Sequence, residues 1–119
     1  MSMTPWGISQ DAKQIADGIV FYMTAGHGGI RLSTERWHEF RKVFPLFEPW
    51  AGPGWLEEDE DYGRAIMVWP EFWDDSIMPS LVAHMERRRS DPYHADIPES
   101  YWESERWLTI KRRAEAVPA

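Results

Sequence analysis

Proline and glycine punctuate this chain, and their positions mark where several of its elements start or stop. Ala16-Asp17-Gly18 supplies turn chemistry between a weak strand signal over residues 6–15 and the β-branched, aromatic run Ile19-Val20-Phe21-Tyr22-Met23-Thr24. Ala25-Gly26-His27-Gly28-Gly29 breaks the chain again, and Ile30-Arg31-Leu32 alternates as a short third strand. The expected product is a three-stranded antiparallel meander.

The pattern then becomes helical. Ser33 can cap the amides that follow, Glu35 sits where the helix dipole favours an anion, and Leu32 and Trp37 are spaced for a hydrophobic staple. Trp37, Phe40 and Phe44 form one apolar face, and Pro45 stops the helix at the start of a Pro/Gly-rich connector, residues 45–54. Tyr62, Ala65, Ile66 and Trp69 predict a second helix over 57–68, weakened by Gly63 and ended by Pro70. A third helix over 79–89 would bury Leu81, Val82 and Met85. Pro98 would open a last one running through Tyr101, Trp102, Leu108 and Ala114. The fold class is α+β: a small N-terminal antiparallel meander followed by about four helices.

At 119 residues one domain is expected, and with 43% apolar and 14% aromatic residues the chain can build a core. Zero Cys excludes a disulfide framework, a thiolate metal site and a cysteine nucleophile. The longest apolar runs, Ile19 to Met23 and Ala65 to Trp69, fall far short of a membrane span. A cytoplasmic location in a bacterial host is the expectation.

Charge is concentrated. The formal net charge is −7, and Glu57, Glu58, Asp59, Glu60, Asp61, Glu71, Asp74 and Asp75 face a single base, Arg64, within nineteen residues, while the rest of the chain is balanced. This excess argues against direct contact with nucleic acid or an anionic membrane and for a basic partner. One or two acids satisfy a helix dipole. The run of five at 57–61 exceeds that need, so the expectation is an anionic surface made by these residues with Asp74 and Asp75, weighed evenly against a merely solvated helix start. Trp37, Trp69 and Trp102 fall on apolar helical faces and read as core. Trp50, Trp55 and Trp73 flank the connector or the acids and are candidate interface anchors, or else a satellite cluster beneath the loop.

Other chemistries find little support. Thr24-Ala25-Gly26-His27-Gly28-Gly29 lacks the Lys-Ser/Thr of a phosphate loop and the following helix of a dinucleotide fingerprint. His27 has the chemistry of a general base, but the plainer reading is a tight hairpin whose glycines adopt left-handed backbone. His38, His84 and His94 show no metal-ligand spacing, no G-x-S-x-G elbow exists, and no cofactor is implied. The arginines of Arg87-Arg88-Arg89 and Lys111-Arg112-Arg113 complement helix C-termini.

Thr4-Pro5-Trp6-Gly7, Gly18-Ile19, the Thr24 to Gly29 segment, Leu32-Ser33 and Glu57-Glu58-Asp59 together resemble an uncharacterised domain family of proteobacteria, their phages and other mobile elements. The resemblance covers about residues 4–75 and leaves 76–119 as a helical C-terminal region. It implies a mobile-element setting and carries over no catalytic residue. With the acidity, that setting suggests a non-catalytic, DNA-mimicking inhibitor of a CRISPR surveillance complex or restriction enzyme. The alternatives are a small enzyme or ligand-binding domain centred on His27, and an accessory protein-interaction module.

Overall fold

The computed structural model describes residues 3–58 and 61–118. Its first element is a two-stranded hairpin, β1 (Met3–Thr4) against β2 (Gly7–Ile8). A four-stranded antiparallel sheet follows, with strands in the order β3 (Asp11–Ala16), β4 (Ile19–Met23), β5 (Gly28–Leu32) and β6 (Trp55–Glu57). Gly18 makes the β3–β4 turn at φ +79°, and its carbonyl accepts from the Ser33 amide at 2.8 Å. The meander expected from the sequence is therefore present, extended by a fourth strand.

Helix α1 (Thr34–Val43) begins as its sequence dictates, with the Ser33 hydroxyl accepting from the Arg36 amide at 3.2 Å. Trp37 and Phe40 stack along its face at 5.4 Å between ring centroids, and Phe40 meets Phe44 one turn later. The next segment departs from expectation. Residues 55–57 are strand β6, so helix α2 is only Tyr62–Val68 rather than 57–68. Pairing with β5, at Ile30↔Leu56 and Arg31↔Trp55, satisfies this backbone in the extended form in place of helical hydrogen bonds.

Helix α3 (Met78–Arg87) buries Leu81 and Met85, with Val82 half-buried. The last helix also departs from expectation. Pro98 precedes a 3₁₀ turn, Glu99–Glu103, and Ser104 then caps a separate helix α4 (Glu105–Glu115), its hydroxyl accepting from the Trp107 amide. The break rotates the apolar face, so Trp107 and Ile110 are buried while Leu108 stays 38% exposed.

Alternation divides the sheet into two faces. Ile19, Ile30, Leu32 and Leu56 point to the helical side and join Phe40, Phe44, Met67, Met78, Met85 and Trp107 in one core. Tyr101 crosses this core and donates from its hydroxyl to the Met67 carbonyl at 2.8 Å. Burial raises the phenol's pKa and keeps it in the protonated, donating form. Arg64 is fully buried and forms a two-pronged pair with Asp96, at 2.7 Å from Nη2 and 3.1 Å from Nε. The other face of the sheet carries the rows Ala12–Tyr22–Gly29–Glu57 and Gln14–Val20–Arg31–Trp55. No helix among the described residues is long and apolar enough to cross a membrane.

Candidate functional site

The two motifs Thr4-Pro5-Trp6-Gly7 and Thr24 to Gly29 lie far apart in the chain and meet on the sheet face away from the helices. Each is a tight turn held by a threonine hydroxyl. Thr4 Oγ1 donates to the Gly7 carbonyl at 2.6 Å and accepts from the Trp6 amide at 3.2 Å, with Gly7 at φ +118°. Thr24 Oγ1 likewise donates to the His27 carbonyl at 2.8 Å and accepts from the His27 amide at 3.1 Å.

The glycines of the second motif act differently from the expectation of a left-handed turn. Gly26, Gly28 and Gly29 all have ordinary negative or extended backbone, and Gly28 and Gly29 belong to β5. Their role is close approach. A Cβ at Gly29 would overlap both the Trp6 indole and the Leu56 carbonyl. The far edge of the Trp6 indole thus occupies the gap that Gly29 leaves in the Tyr22–Gly29–Glu57 row. Its ring meets Trp55 edge-on at 5.6 Å, and Trp55 in turn touches Tyr22 at 6.0 Å and carries the Arg31 guanidinium 4.8 Å above its face.

Beside this cluster opens a pocket of about 510 Å³ lined by Pro5, Trp6, His27, Trp50 and Glu57. Trp50 projects from the Pro/Gly connector with 75% of its surface exposed, more than any other aromatic among the described residues. The Trp6 indole N–H is buried and without a hydrogen-bond partner, a state that costs about 1–3 kcal/mol for a neutral group. Among the described residues, no group of three or more His, Asp or Glu side chains is arranged to hold a metal ion.

The acidic run is dispersed by the strand that replaces its helix. Glu57 ends β6 and lines the pocket, and Glu58 is exposed, with its amide donating to the Gly28 carbonyl at 3.0 Å. Asp61 turns inward: it is 3% exposed, and its carboxylate accepts from the Glu57 amide at 3.4 Å. Asp59 and Glu60 lie outside the described residues. Asp74 is exposed, and the hydrogen bond it accepts from the Ser76 amide holds its carboxyl below the usual pKa. Asp75 pairs with Arg113, which also donates to the Pro70 and Trp73 carbonyls.

Of the three tryptophans flanking this region, only Trp50 is broadly exposed. Trp55 belongs to the Trp6 cluster. Trp73 is half-buried against Tyr62, donating from its indole to the phenol oxygen at 2.9 Å. Trp73 and Asp74 line a separate groove of about 550 Å³ with Phe21, Tyr62 and Lys13. Sequence reasoning therefore named Trp50 and Glu57 of the pocket, considered His27 separately, and did not connect Trp6 to either. The signal that links them is a glycine placed in a strand, where it admits another backbone or ring.

A family model for a domain of unknown function matches residues 1–118. The chain belongs to the DUF7007 family. The match runs well past residue 75, so α3 and α4 lie within the family's domain along with the two motifs. No curated protein and no solved structure matches the chain.

Proposed function

We propose that this family member is a binding domain whose contact site is the pocket between Trp6, Trp50, His27 and Glu57, and that its partner is a basic protein. The observation that carries the reading is the convergence of two distant, separately stapled turns on one aromatic pocket, beside an indole left 75% exposed. Folding alone gives no reason to expose Trp50, whereas exposed aromatics next to a charge are the usual anchors of protein interfaces. The net charge of −7 would steer a basic partner toward the domain. Within this reading the proposed partner is a nucleic-acid-binding complex of bacterial defence, a CRISPR surveillance complex or restriction enzyme, with the domain acting as an anti-CRISPR-type inhibitor. Glu58, exposed next to Glu57, would add charge at the contact, and Asp74, exposed on the separate groove, would add to the long-range attraction.

The test is capture of such a complex from a bacterial lysate at two salt concentrations, read by mass spectrometry. Stoichiometric capture of a nucleic-acid-binding subunit, weakened by salt and lost in Trp50→Ala, supports the reading. Capture undiminished in Trp50→Ala removes the pocket from it.

A second reading is favoured by His27 and Glu57 lining the same pocket, an imidazole and a carboxylate that together could serve a small ligand or proton transfer. His27→Ala separates the two. It should leave partner capture intact and abolish a His27-dependent activity.

A further inference from the structure

We infer that the pocket takes the ammonium end of a lysine side chain presented by the partner. This deepens the reading of the pocket as a contact site and rests on it. Three observations carry the chemistry. Two of the lining groups, Trp6 and Trp50, are indoles, whose electron-rich faces attract cations more strongly than those of the other aromatic side chains. Glu57 lines the pocket beside them, and its carboxylate favours a cation over an anion; neither Lys nor Arg is among the lining residues. The same aromatic cluster already holds a cation in this manner, because Arg31 lies 4.8 Å above the Trp55 ring and Trp55 packs edge-on against Trp6.

A lysine side chain suits this arrangement better than a free metal ion or a phosphate. Its apolar stem can lie along Pro5 and the indole faces while the ammonium reaches the carboxylate.

The experiment uses the full chain and a capped pentapeptide, Gly-Gly-Lys-Gly-Gly, followed through the indole N–H resonances of the eight tryptophans. Parallel peptides carry arginine or norleucine in place of lysine. The expected result is saturable movement of the Trp6 and Trp50 resonances with the lysine peptide and at least tenfold weaker binding of norleucine, which keeps the stem and lacks the charge. Trp50→Ala and Glu57→Gln should each weaken the lysine peptide roughly tenfold while the remaining resonances keep their native dispersion. Equal binding of lysine and norleucine, a preference for arginine, or no movement with any peptide overturns the lysine assignment. If that happens while Trp50→Ala still abolishes capture of the partner protein, the pocket remains the contact site and only its chemistry is wrong. If Trp50→Ala leaves capture intact, the contact-site reading itself fails.

Discussion

The indole of Trp6 occupies the space that a side chain on Gly29 would fill, joining two turns more than twenty residues apart in the chain. Gly29 is the second residue of β5 and is paired on both sides, with Tyr22 and with Glu57, so its backbone has little freedom to retreat. Gly29→Ala is therefore expected to cost about 1–3 kcal/mol, the range for forcing extra atoms into a packed site. Trp6→Ala removes only one of the two overlaps, because the Leu56 carbonyl remains, so the double variant should recover part of that loss and not all of it. Urea unfolding of the two single variants and the double variant measures both terms; full recovery in the double variant would show that the backbone overlap is relieved at little cost.

Arg64 is the sole base of the acidic segment and contributes nothing to its surface charge, being fully buried against Asp96 and over the Phe47 ring at 4.3 Å. Removing one member of such a pair strands the other. Arg64→Met is expected to destabilise the fold by about 3–5 kcal/mol, whereas Arg64→Met combined with Asp96→Leu should regain most of it, since apolar groups of similar volume often replace a buried pair without loss. Thermal unfolding of the single and double variants checks this. A double variant no more stable than Arg64→Met would mean that Asp96 is adequately solvated by itself.

What the sequence revealed depended on how local each interaction is. The Ser33 cap, the Trp37–Phe40–Phe44 face and the Gly18 turn are decided within a few residues, and each stands where the pattern puts it. Strand β6 was hidden because three residues carry no periodicity and its partner, β5, lies more than twenty residues away; the acids after Trp55 looked instead like a helix start. Ser104 followed by Glu105 is a cap signal of its own, but Pro98 offers an earlier helix start in the same stretch, and local pattern does not choose between them. The Arg64–Asp96 pair and the Trp6–Gly29 contact are tertiary and left no local trace. The glycine-rich segment advertised a turn, and its turn does exist at Thr24 to His27, but the two glycines that matter to the pocket lie beyond it in the strand.

The dispersal of the acids changes which charge variants are informative. Asp61→Lys would place an ammonium at a site 3% exposed and remove the acceptor facing the Glu57 amide, so it should destabilise the fold by several kcal/mol and lose binding for that reason alone. Glu58→Lys alters an exposed side chain and should stay within about 0.5 kcal/mol of the native stability, whereas Asp74→Lys also removes the cap on the Ser76 amide and should cost about 0.5–2 kcal/mol while leaving the fold intact. If the acids steer a basic partner, this last pair of changes should lower the association rate and flatten its salt dependence with little change in dissociation. Surface plasmon resonance on the captured complex at two ionic strengths distinguishes these outcomes, and an unaltered association rate would show that Glu58 and Asp74 do not steer the partner.

His94 gives the fold a predictable response to acid. Its ring is 3% exposed and lies 5.9 Å from that of His84, and burial, followed by the charges of Arg64 and Arg88 and by His84, holds its pKa below the ordinary value of 6.5; Asp96 opposes the shift. The unfolded chain therefore binds a proton at a higher pH than the native state does. Between the ordinary pKa and the depressed native one, the unfolded state holds more protons, so stability rises with pH in that window. The contribution is fully present above about pH 6.5, declines as pH falls below it, and levels off once the native group also protonates. The slope from this one group cannot exceed about 1.4 kcal/mol per pH unit. Urea midpoints measured from pH 8 to 5.5, above the range where exposed carboxylates titrate, should show this decline in the native chain and a much flatter profile in His94→Gln. An equally steep profile in that variant would assign the acid response to other groups.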